Sequence, residues 1–141
     1  MKKLSIVLLT ILMVFTFASC NPDSGKPEKP TEAEMQLLTR IESAVSAAME
    51  KEKINMKSSA DGKTGDIEFV EKYSDSETNI TIIEASGHGV RNDNESTLEQ
   101  SYTVIDDIDG TQHTMYVKET ANIDDSNMTI VIKLDGKLLA M

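Results

Sequence analysis

The chain has no tryptophan, one cysteine and three prolines, and the prolines all fall before Thr31. A lone cysteine excludes an intramolecular disulfide framework. Behind the first nineteen residues the only aromatics are Phe69, Tyr73, Tyr102 and Tyr116, so a core must be built from Ile, Val, Leu and Met. Basic charge is scarce too: 14 Lys and Arg stand against 24 Asp and Glu, a net charge of -10. Lys2 and Lys3 belong to the N-terminal segment, so the remainder is more acidic still. Such a surface repels a phosphate backbone and excludes nucleic acid as a partner. A length of 141 residues allows one domain at most.

Met1-Lys2-Lys3 opens a positively charged start, residues 4–17 form an apolar run, and Ala18-Ser19-Cys20 follows, the layout of an export signal. As a helix the run would span about 21 Å, short of the ~30 Å hydrocarbon core, which disfavours a transmembrane anchor. Phe17-Ala18-Ser19-Cys20 resembles the lipobox of bacterial lipoproteins, although an aliphatic residue is usual where Phe17 stands. The resemblance covers residues 1–20 only and implies nothing about the fold behind them. It implies removal of residues 1–19 and attachment of a lipid to Cys20. That fate suits an only cysteine sent to a compartment where free thiols oxidise. Acyl chains at about 0.8 kcal/mol per buried CH₂ would hold the protein on a membrane, so the domain itself needs no membrane-binding surface.

Residues 20–30 collect Pro22, Pro27 and Pro30 among Asp, Ser, Gly, Lys and Glu. This composition reads as a tether, reaching up to roughly 30 Å when extended. Asn21 occupies the position after the lipidated residue, where Asp would retain the protein at the inner membrane in some bacteria, and so favours an outer-membrane address.

Residues 31–141 are expected to form a single α+β domain and a monomer. Thr31-Glu32-Ala33-Glu34 has the form of a capping box. Behind it Leu37, Leu38, Ile41, Ala44, Val45 and Ala48 recur at helical spacing. Continuing to Met56, the stripe places Glu42, Ser43, Ser46, Glu50 and Lys53 on the outer face, with Lys51, Lys53 and Lys57 in the last turn. Asp61-Gly62 and Gly65 then break the helix, and the apolar period changes to two. Five strands are readable, over 66–73, 79–85, 97–105, 111–119 and 127–134, with a short extra strand at Leu138 and Leu139. Polar outer faces and short connections imply an antiparallel meander with one wet side, the amphipathic helix packing on the other.

No motif carries a reaction. Asp107-Ile108-Asp109-Gly110 fails as a calcium loop, because Ile105 and Tyr116 occupy the positions that require acidic ligands. Ser86-Gly87-His88-Gly89 lacks the nucleophile-elbow pattern. His113 falls on the apolar face of its strand, where a core or rim histidine with one hydrogen-bonded nitrogen is expected rather than a metal ligand. One constellation could hold a divalent cation: in a meander His88, Asp93 and Glu95 share an end of the sheet with Asp124 and Asp125. The simpler reading is a pair of solvated acidic loops. No cofactor is expected. The sequence therefore points to a non-enzymatic, lipid-anchored binding or structural module of the cell envelope. Its alternatives are a hydrolase using Glu84, Asp106 or Asp107, and a carrier or inhibitor with an apolar pocket between helix and sheet.

Overall fold

The capping box at Thr31 closes as its spacing predicts. The Glu34 amide donates to Thr31 Oγ1 at 3.1 Å, the Thr31 amide donates to Glu34 Oε1 at 2.8 Å, and helix α1 runs from there over Glu32–Glu50. In this computed structural model the described residues are 27–122 and 127–140. Eight strands follow the helix: β1 Ile54–Ser58, β2 Thr64–Phe69, β3 Tyr73–Asp75, β4 Ile80–Arg91, β5 Glu95–Asp106, β6 Thr111–Asn122, β7 Asn127–Leu134 and β8 Lys137–Leu139. They form one antiparallel sheet in the order β1-β2-β4-β5-β6-β7-β8, with β3 also paired to β4.

The α+β class and the meander order agree with the sequence reading, but there are eight strands rather than about five. The difference begins at the end of α1. Lys53 donates its amide to Ala48 at 2.8 Å and Glu52 donates to Met49 at 3.1 Å, while Glu52 takes φ 61. This is a Schellman-type stop, with Glu52 at the left-handed position that glycine usually fills. The helix therefore ends before Lys53 and Lys57, no basic residue lies in its last turn, and Met56 belongs to β1 instead of the helical stripe. The expected strand 66–73 is split in two. β2 pairs with the far half of β4, from Thr64 opposite Val90, and β3 with its near half, from Tyr73 opposite Ile82. Between the pieces the Val70 amide turns away to Lys53 O at 2.8 Å.

Helix and sheet meet in a core that includes Leu38, Ile41, Val45, Ile54, Ile82, Tyr102, Val104 and Val117, each at most 2% exposed. Arg40 locks the layers together. Its guanidinium donates to both carboxylate oxygens of Asp106, at 2.7 and 3.0 Å, and to the carbonyls of Thr78 and Asn79. At the start of α1, Lys137 at the foot of β8 donates to Glu34 at 3.1 Å. The sheet reaches back beyond Thr31, since Glu28 forms a parallel bridge to Leu139, so the end of the expected tether packs on the domain edge.

The helix thus crosses the sheet at the end that carries the β3–β4, β5–β6 and β7–β8 turns. Asp135 and Gly136, at φ 52 and 81, form the last of these, a two-residue hairpin. Each of β4, β5 and β6 has 12 residues, about 40 Å of strand. A helix about 10 Å across cannot cover that length. Beyond the row of Gln100 and Val117, which are still buried, the far half of the sheet's inner face is left without helix cover.

A candidate binding groove with a buried carboxyl

Strand register decides what the bare half presents. Directly across the sheet lie Met56, Ile67, Gly87, Gln100 and Val117, and two residues further along each strand the next row is Ser58, Gly65, Gly89, Leu98, Glu119 and Ile130. Glycines at 65 and 89 put backbone where neighbouring strands put side chains, so the surface dips between apolar walls. The result is a groove of about 340 Å³, with Met56, Ile67, Leu98, Ala121 and Met128 as its apolar lining. No residue of α1 lines it. The apolar pocket therefore lies beside the helix, and the expected space between helix and sheet is filled by core. Gly87 is not hollow, because a Cβ there would sit 2.6 Å from Ile67 Cδ1.

Glu119 lines the groove at 8% exposure. Its neighbours across the strands are Leu98 and Ile130, and its side chain has no hydrogen-bond or ion-pair partner among the described residues. Burial alone therefore raises its carboxyl above the ordinary carboxylate range. Lys63 and Arg91 also line the groove, but both are exposed, one on the β1–β2 turn and the other at the end of β4. Ser58, Thr64, Ser96 and Thr97 are the hydroxyl-bearing residues of the lining.

The sequence had not singled out Glu119, although the signal was there: it continues the inward parity of Met115 and Val117 on β6. Glu42 is a second buried acid, 6% exposed on α1, where an outward position had been expected. It lies three residues before Val45 and four after Leu38, inside the apolar stripe. Desolvation pushes its carboxyl to about 9.

The candidate residues read from the sequence lie elsewhere. His88 is in β4, not in a loop, and its side chain points to the outer face, where Nδ1 lies 2.6 Å from Asp66. Asp93 and Glu95 stand at the β4–β5 turn, organised by Asn92, whose side-chain oxygen accepts from the Asn94 and Glu95 amides at 2.9 and 2.8 Å. His88 is three residues from the end of β4, about 10 Å along the strand, and the structure does not bring it to Asp93 and Glu95. Asp124, Asp125 and Cys20 lie outside the described residues. Among the described residues no three His, Cys, Asp or Glu side chains converge as metal ligands. Asp106 is held by Arg40, which draws its carboxyl below the usual range. Asp107 accepts from the Thr81 hydroxyl at 2.8 Å, and Glu84 is exposed beside the irregular register between Ile82 and Glu84. His113 has both ring nitrogens engaged, one 2.7 Å from Asp135 and the other 2.8 Å from Thr111, the rim histidine expected.

The outer face of the sheet is a lattice of paired charges. Lys57 meets Glu68 at 2.6 Å, Lys118 meets Glu99 at 3.7 Å, and Lys133 lies 5.8 Å above the Tyr116 ring. Such a face is solvated. No helix among the described residues is long and apolar enough to cross a membrane. No family model, curated protein or solved structure matches this chain.

Proposed function

We propose that this protein is a lipid-anchored module of the bacterial cell envelope that binds a small apolar ligand without chemistry. The observation that carries the binding half is the groove: about 340 Å³, walled by Met, Leu and Ile, with a single buried polar group. That is the size and composition of small-molecule sites, which are mostly apolar with a few placed polar atoms. Among the described residues the lining contains one carboxyl and no histidine. A hydrolytic acid–base pair needs two groups of divergent pKa facing one substrate, so the lining favours binding over hydrolysis. Glu84, Asp106 and Asp107 stand outside it. The anchoring half rests on the lipobox resemblance at residues 17–20, with Cys20 lipidated, residues 21–27 as spacer before the Glu28 bridge to the domain edge, and the outer membrane as the address favoured by Asn21. In this reading the protein works as a monomer, reaches the membrane only through its lipid, and needs no cofactor.

Two measurements test the halves separately. Cys20→Ser should move the protein from detergent-extracted membranes to the soluble fraction, and continued membrane retention would refute the anchor. A neutral apolar fluorophore should bind the protein with blue-shifted emission. Gly65→Leu, which sends a side chain into the groove from a position where a Cβ meets nothing closer than 3.6 Å, should abolish that signal. An unaltered signal in this variant would refute the groove.

A further inference from the structure

Taking the groove as a ligand site, as the proposed function does, we infer that its ligand is an apolar molecule bearing a primary or secondary ammonium, which pairs with Glu119. Four observations narrow the chemistry. Glu119 is over nine-tenths buried, lacks any partner among the described residues and faces the groove, so it offers an unused acceptor to whatever enters. A carboxylate left alone on an apolar floor is costly, and an N–H donor of opposite charge removes that cost with a short, charge-assisted hydrogen bond. The second observation excludes a metal ion. One carboxyl with serine and threonine neighbours is too few hard ligands, and no metal-capable cluster occurs among the described residues. The third excludes a quaternary ammonium. Among the described residues the lining holds no aromatic ring, so they offer no cage for a cation without donors.

The fourth observation is the placement of the other charges. Gln100, a diagonal neighbour of Glu119 on the same face, is neutral, and Leu98, Ala121 and Ile130 surround the carboxyl on β5, β6 and β7. Lys63 and Arg91 are exposed at the rim, and Arg91 belongs to β4, two strand spacings or about 10 Å from β6. Among the described residues they leave Glu119 as the only charge on the floor. An alkyl chain would lie across Leu98 and the Gly65–Gly89 dip, with its ammonium at β6.

The test compares three probes of one chain length, n-octylamine, n-octanol and n-octanoate, by calorimetric titration of the wild type and of Glu119→Gln. Octylamine is expected to bind the wild type about tenfold or more tightly than octanol, the scale of one charge-assisted hydrogen bond, and octanoate more weakly than either. Glu119→Gln should erase the preference for the amine while leaving octanol binding intact. Equal affinity for octylamine and octanol in the wild type, or a preference for octanoate drawn by Lys63 and Arg91, would overturn the ligand class and leave the groove standing. Binding of none of the three would overturn the groove itself. The wild-type comparison decides between these outcomes even if Glu119→Gln does not fold.

Discussion

Glu42 is the best place to measure how this small core tolerates a polar group. The residue is 6% exposed on the inner stripe of α1, and desolvation pushes its carboxyl up to about 9 in the folded chain. In the unfolded chain it ionises near 4.5. The folded state therefore binds one more proton between those limits, and stability from this group falls as pH rises through the window, by about 1.4 kcal/mol per unit. At pH 7 the accumulated cost is about 3 kcal/mol, a large share of the 5–15 kcal/mol typical of a domain. Glu42→Gln keeps the shape and removes the titration. Its amide adds a desolvation cost of about 1–3 kcal/mol, but that offset does not depend on pH. The assay is urea unfolding of both proteins at intervals from pH 5 to 8.5. Glu119, also raised, and Asp106 and Glu34, both lowered, are common to the two proteins and cancel. The stability difference should shift in favour of Glu42→Gln by about 1.4 kcal/mol for each pH unit. A difference that stays constant across the range would show that Glu42 is ionised in the folded state, and the burial argument would fail.

Three further outcomes follow from the packing. Ile41→Asp places an unpaired charge at a fully buried position of α1 and should cost several kcal/mol, enough to abolish cooperative thermal unfolding; a normal melt would show that the stripe faces solvent. Asp106→Asn leaves the Arg40 guanidinium with a neutral partner and should lower stability at pH 7 by about 2 kcal/mol. Because Arg40 draws the Asp106 carboxyl down, the wild-type advantage is present above the ordinary carboxylate pKa and is lost as pH falls through the lowered one, so the two proteins should converge in acid. A Gln100→Leu variant removes a buried amide nitrogen that has no hydrogen-bond partner among the described residues but also takes the acceptor from the buried Tyr102 hydroxyl, and should lower stability by about 1–3 kcal/mol in chemical denaturation; no loss would mean that the Tyr102–Gln100 hydrogen bond contributes nothing to the core.

How much of this was legible follows from which signals are local. The start of α1 was readable because its capping box is written in four adjacent residues. The end was not, because Glu52 does the work of a glycine and the stripe appears to continue into Met56. β4 was read as stopping at Ala85, since Ser86-Gly87-His88-Gly89 looks like a turn. In the folded sheet Gly87 is required by the close approach of Ile67 from β2, a contact twenty residues distant that no local pattern announces. β6 and β7 were readable by their alternation, and β7 begins and ends where expected. The same alternation pointed Glu119 inward, yet an acid on an apolar face reads as the end of a strand unless something shows that the face is left uncovered. That condition is set by the length of β4–β6 against the width of one helix, a tertiary fact.

The account turns on the bare half of the inner face being a binding site, and methionine methyl groups report on it directly. Met56 and Met128 line the groove, Met56 touching the core from that side, whereas Met49 packs against the core away from the groove and Met115 is 2% exposed within it. In protein labelled with ¹³C at the methionine methyls, titration with n-octanol should shift the Met56 and Met128 resonances along saturating curves of one dissociation constant, with Met49 and Met115 unmoved. Shifts at Met115 or Met49 with Met56 and Met128 stationary would place the ligand in the core between helix and sheet, and would contradict the central claim.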